Sequence, residues 1–147
     1  MNPEFGTELI NPRAGTKTVF LATAESTAGA YVEIEMTYPP DSAKPPLHKH
    51  PAQAEHFTVL AGRLDGVRAG EDFTVGAGDE VTVDAGVPHQ MWAGDDGATF
   101  RWRTSPALRT GEMFCALWEV ARDNDWKPDV MQLFGVISQY DAEFCLC

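Results

Sequence analysis

Four residues stand at spacings that would let them share one ion: His48, His50, Glu55 and His89. Two histidines at i and i+2 on extended chain project to the same side, so their imidazoles can converge on one point. Glu55 has the opposite alternation phase from His50, but Pro51 lies between them and a loop there resets the phase. His89 completes the set from a distant segment. Three neutral imidazoles and one carboxylate suit a divalent transition metal (Fe, Mn, Ni, Co, Cu or Zn), one ion per chain, rather than Ca or Mg. An ion that prefers five or six ligands keeps one or two positions for water, dioxygen or a chelating substrate. His56 adjoins Glu55 on what should be one strand, so it points to the opposite side and reads as a surface histidine.

The elements that must position these residues are short strands. In Tyr31–Tyr38, Val32, Ile34 and Met36 alternate with Glu33 and Glu35, the period of a half-buried strand. Pro39, Pro40, Pro45 and Pro46 make the following stretch a loop. Strand signals then recur over His56–Ala61, Arg63–Ala69, Asp72–Val75, Glu80–Asp84, His89–Ala93 and Ala98–Thr104, separated by glycine-bearing turns. An earlier signal spans Thr18–Leu21. Many short, evenly spaced strands predict an all-β closed barrel or jelly roll. After Pro106 the apolar spacing becomes helical over Leu108–Arg122, with Met113, Phe114, Leu117 and Val120 on one stripe. A second helix is expected from Pro128, in its first turn, to Tyr140. Both helices are expected on the outside of the barrel or at a dimer contact, with a lid over the barrel mouth as the alternative. The division is therefore an N-terminal arm over 1–17, a barrel over 18–104 and a C-terminal helical extension over 105–147.

Composition bounds the function. The 147 residues suffice for one core, and 44% hydrophobic content excludes global disorder. A net charge of −11 repels nucleic acid and anionic membrane surfaces. No stretch approaches the roughly 20 apolar residues of a membrane span, and no signal peptide is evident at the N-terminus, so a cytoplasmic protein is expected. Three cysteines make no disulfide framework, and Cys145 and Cys147 read as part of a disordered tail.

The spacing resembles the two motifs of the cupins. The first, Gly-x5-His-x-His-x(3,4)-Glu-x6-Gly, is matched by His48, His50, Glu55 and Gly62, with Ser42 where the leading glycine would stand. The second, Gly-x5-Pro-x-Gly-x2-His-x3-Asn, is matched by Gly78, Gly86 and His89, with Asp84 for the proline and Ala93 for the asparagine. The resemblance implies a cupin-type jelly-roll barrel with the metal inside it, followed by a short C-terminal helical pair, and a homodimer.

Strand alternation beyond the ligands outlines an apolar pocket. Phe57 and Val59 share phase with Glu55, Met91 with His89, and Phe100 and Trp102 share a face of their strand. Arg101 and Arg103 alternate with the aromatics and face solvent. Such a cavity beside a metal takes a small organic molecule, aromatic or enolic in character. Two reaction classes fit. One is dioxygenase-type, with Glu55 loosening to act as the catalytic base. The other is a Lewis-acid isomerase or polyketide-cyclase type. The alternative is a non-catalytic, small-molecule-binding or sensory cupin.

Overall fold

A computed structural model describes residues 1–147. The strands are β1 (Glu8–Asn11), β2 (Thr16–Ala22), β3 (Val32–Tyr38), β4 (His48–Lys49), β5 (Ala54–Arg68), β6 (Glu71–Gly76), β7 (Glu80–Val83), β8 (His89–Ser105) and β9 (Cys145–Leu146), with helices α1 (Thr110–Arg122) and α2 (Val130–Ile137) between the last two. All strand pairs are antiparallel. The fold is an all-β jelly roll with two helices appended.

Two long strands carry the architecture. The sequence separates His56–Ala61 from Arg63–Ala69, and His89–Ala93 from Ala98–Thr104. The structure joins each pair into one strand, β5 and β8, which run beside each other for most of their length. Their first and second halves belong to different layers. The C-terminal half of β8 pairs with β3 and with the N-terminal half of β5, which also pairs with β7. The N-terminal half of β8 pairs with β4, and the C-terminal half of β5 with β6. The glycines expected as turns are the bends where both strands pass from one layer to the other. Gly62 lies opposite Ala98, beside a shift in register, and has a φ of 75°. A side chain there would put its Cβ 2.0 Å from the Gly97 carbonyl oxygen, so only glycine permits this approach.

The core fills the space between the layers. Phe20, Ile34, Phe57, Val59, Leu64 and Phe100 are among its fully buried members. The alternation in β3 holds: Val32, Ile34 and Met36 are inside and Glu33 and Glu35 lie on the other face. The sequence reads residues 1–17 as an arm, but Glu8–Asn11 pair with Thr16–Val19 as a hairpin, and Leu9 is buried in the core. One inward leucine and a neighbouring strand edge suffice to order this stretch despite its turn residues.

The helices are close to their expected spans. Pro128 stands before the α2 N-cap rather than in the first turn. Asp129 is the cap, its side chain accepting from Gln132 N–H while the Gln132 side chain accepts from Asp129 N–H, a reciprocal arrangement that satisfies two free donors. No helix is long and apolar enough to cross a membrane.

Candidate metal centre

His48 and His89 face each other across the β4–β8 ladder. His50 follows β4 immediately, and the Gly86 N–H donates to its carbonyl, tying the ligand loop to the turn before His89. Glu55 enters from the start of β5, its phase reset by the loop at Pro51 as the sequence requires. The donor atoms of the three imidazoles lie within 4.8 Å of one another, and all three rings are buried. Glu55 Oε1 is 2.9 Å from His50 Nε2 and 2.8 Å from His89 Nε2.

The protons of the rings are fixed by their outer nitrogens. His48 Nδ1 lies 2.8 Å from the Pro46 carbonyl, His50 Nδ1 2.7 Å from the Glu143 carbonyl, and His89 Nδ1 2.9 Å from the Val87 carbonyl. A carbonyl only accepts, so each Nδ1 carries a hydrogen, and in its neutral form each ring turns its Nε2 lone pair inward. This is the arrangement by which metal-binding imidazoles are oriented. It leaves an electron-rich point without a partner: His50 Nε2 and Glu55 Oε1 are buried and have no hydrogen bond, despite their short separation. Burying such acceptors against one another is costly unless a cation shares them. The residues therefore fit a divalent transition metal.

The electrostatics suit an ion at Glu55 and His48 and set a proton against it at His50. At Glu55, burial raises the pKa, but His50 and His89 outweigh it and hold the carboxyl down at about 2. Burial pushes His48 down to about 4 against the pull of the Pro46 carbonyl. At His50, burial works against the charged ring and the Glu55 carboxylate overcomes it, so its pKa rises. The ionised Glu55 and the neutral His48 are in the states a cation needs, whereas the raised pKa at His50 means that an ion there displaces a proton.

Two cavities meet at this cluster. One, of about 140 Å³, is walled by Tyr38, Phe57, Met91, Phe100 and Trp102 together with the His48 and His89 rings. The other, of about 110 Å³, lies on the α1 side against His50, Glu55, Met113, Phe114 and Leu117. Phe57, Met91, Phe100 and Trp102 line the first of these cavities. Val59 is not in the wall. Two residues beyond Phe57, it lies roughly 7 Å further along the strand and packs in the core. Trp102 does more than expected, since its indole N–H donates to Glu55 Oε2 at 2.6 Å and pins the carboxylate.

Three contributors escape the sequence reading. Tyr38 continues the inward phase of Val32, Ile34 and Met36, a signal the alternation carries. Burial first, and then the charge of Glu55, push its pKa up to about 12, so its hydroxyl keeps its proton at neutral pH. Gln53, buried just before Glu55, donates to the Pro106 and Ala107 carbonyls and to Thr110 Oγ1, anchoring the start of α1 over the barrel. Helix α1 is thus not external packing, whereas α2 has no buried residue and lies on the outside. Phe114 meets Trp102 edge-on at 5.2 Å, and α1 roofs the metal end of the barrel. The C-terminal segment also belongs here. Cys145–Leu146 pair with His48–Lys49, and Phe144 stacks on His48 with centroids 4.7 Å apart, so the tail is ordered rather than free. Cys145 and Cys147 carry free thiols outside the imidazole cluster.

The outer face is as the alternation predicts. His56 is 44% exposed and lies 3.4 Å from Glu80. Arg103 pairs with Glu33 at 3.0 Å and lies over the Tyr31 ring. Ser42 and Ala93, two departures from the motifs, touch each other: the Ala93 N–H donates to Ser42 Oγ at 2.8 Å.

Residues 34–104 match the family described as Cupin domain. No curated protein matches the sequence. Among solved structures, an RmlC-like cupin from Shewanella frigidimarina is similar with a TM-score of 0.60 and 19% identity, covering 71% of this chain and 87% of that one. A predicted oxalate decarboxylase from Thermotoga maritima gives 0.57 and 23%, covering 68% and 90%. KdgF from Halomonas sp. gives 0.55 and 16%, covering 63% and 79%. Fold and site together define a small jelly-roll protein with an interior imidazole cluster. Residues 34–104 form a cupin domain.

Proposed function

We propose that the protein is a mononuclear metalloenzyme in which His48, His50, Glu55 and His89 hold one divalent transition metal ion, acting on a small aromatic or enolic molecule. One observation carries the reading: three inward Nε2 lone pairs and a carboxylate oxygen, two of these acceptors unpartnered, converge in a buried site beside an aromatic cavity. When bound, such an ion supplies Lewis acidity for isomerase or cyclase chemistry and, with a redox-active metal, dioxygenase chemistry.

The chain's own residues set the rest. Phe57, Phe100, Trp102 and Met91 receive the apolar body of the ligand and exclude water from it. Tyr38, protonated at neutral pH, donates a hydrogen bond to a ligand oxygen. Glu55 is ionised and held by Trp102, which suits it as a ligand. Its low pKa makes it a weak base, so accepting a substrate proton requires release from His50 and His89. The apolar walls and the net charge of −11 favour a neutral or weakly charged substrate.

Elemental analysis of protein purified without added metal is expected to find close to one ion per chain, and no uptake under any loading condition would refute the site. Oxygen uptake with flavonols, catechols and β-diketones on Fe- or Mn-loaded protein tests the dioxygenase branch. Turnover under strict anaerobiosis would instead support the Lewis-acid branch.

A further inference from the structure

We infer that Glu143–Cys147 is a working part of the metal centre, a strap that sets the His50 ring and roofs both cavities. The inference rests on the metal reading above. It begins from an asymmetry among the three imidazoles. His48 and His89 each give their Nδ1 hydrogen to a carbonyl two residues upstream, so their tautomer and tilt are set by their own loops. His50 has no such local partner. Its Nδ1 hydrogen goes to the Glu143 carbonyl, 93 residues away, at 2.7 Å.

The strap is fastened at several points. Glu143 N–H donates to the Tyr140 carbonyl, and Glu143 itself is 3% exposed, so the carbonyl that receives His50 is shielded from competing water. Beyond it, His48 lies opposite Leu146 and Lys49 opposite Cys145, and Cys147 N–H donates to the Leu47 carbonyl at 3.1 Å. Between these anchors Phe144 lies flat on His48, 18° from parallel, and edge-on to His50 at 6.0 Å. The same ring lines the cavity on the Tyr38 side and the cavity on the α1 side. One imidazole is thus oriented, and a second covered, by residues 143–147.

The physical consequence is specific. Without the Glu143 carbonyl, the outer nitrogen of His50 has no acceptor, and the hydrogen is free to sit on Nε2, where it faces Glu55 and blocks metal ligation. Without Phe144, the His48 ring loses its stacking partner and the two cavities open into each other. Glu143, Phe144 and the short strand after them are positioning residues, acting through the rings they touch.

The test compares the full chain, a chain ending at Ala142, and Phe144→Ala. Two measurements are made: Co²⁺ affinity by competition with a chromophoric chelator, and the ring tautomer of His50 by nitrogen NMR on metal-free protein. With the ring in its neutral form, the full chain is expected to show a single Nδ1–H tautomer at His50. The shortened chain is expected to show mixed tautomers and a Co²⁺ affinity lower by about 10- to 100-fold, the usual cost of removing an outer hydrogen-bond partner of a ligand. Phe144→Ala is expected to keep the tautomer and lose about 2- to 10-fold, the worth of one aromatic stacking contact. A shortened chain that binds Co²⁺ as tightly and keeps the His50 tautomer overturns the strap. Should the shortened chain fail to fold by thermal unfolding, an unchanged Co²⁺ affinity in Phe144→Ala overturns it instead. A full chain that takes up no Co²⁺ overturns the metal reading, and the tautomer comparison then decides the strap by itself.

Discussion

Glu55 and His56 are neighbours on β5 and live in opposite worlds. Glu55 is 1% exposed, touches two imidazoles at under 3 Å and has its carboxyl held at about 2. His56 stands on the outer face 3.4 Å from Glu80, both side chains largely in water. Each is a histidine–carboxylate contact, and their chemistry on paper is the same. The inner contact sits where water cannot screen it, so a misplaced proton or a missing partner is costly. The outer contact is screened and weak. The strand's period of two, not the pairing itself, decides which residue becomes reactive.

The comparison can be broken at several depths. The largest effect is expected from His89→Ala, which should reduce metal content from close to one ion per chain to nearly none by elemental analysis. His56→Ala should leave that content unchanged. Next, Phe57→Ala removes a fully buried ring from the wall between core and cavity, and should cost about 3–5 kcal/mol by chemical denaturation.

A smaller and pH-dependent effect belongs to His48. Its folded pKa of about 4 lies below the ordinary 6.5, so the folded ring refuses a proton that the unfolded chain accepts. The stability it contributes is fully present above pH 6.5 and lost as pH falls toward 4. His50, with its raised pKa, acts in the opposite sense, so the comparison is made as a difference between metal-free wild type and His48→Gln, which reports His48 together with its coupling to His50, His89 and Glu55. That difference should shift against wild type by up to about 3 kcal/mol between pH 6.5 and pH 4. The smallest effect is expected at the outer pair, where His56→Ala should change unfolding free energy by less than ~0.5 kcal/mol.

Much of this was legible in the one-dimensional pattern because alternation is local. The inward sets Val32, Ile34, Met36 and Phe100, Trp102 follow from the period, and so do the outward His56, Arg101 and Arg103. What failed was continuity: glycines at 62, 94 and 97 read as turns because glycine marks both turns and bends. Only the opposing strand shows that the chain at Gly62 is making a close approach to Gly97. Parity places Val59 on the inner face of its strand but does not give the distance along it, and the residue packs in the core.

The residue types and spacings by themselves determined the all-β class, the cupin motifs and the four candidate ligands, since these rest on short-range periodicity and on donor chemistry. The tertiary structure decided what touches the ligands from far away. Gln53 fastens α1 over the barrel, Trp102 pins Glu55, and the last five residues return to β4 to hold His50 and cover His48. Those contacts join residues dozens of positions apart through single hydrogen bonds and ring faces. No local period encodes such partners, because only the closing of the barrel brings them within reach.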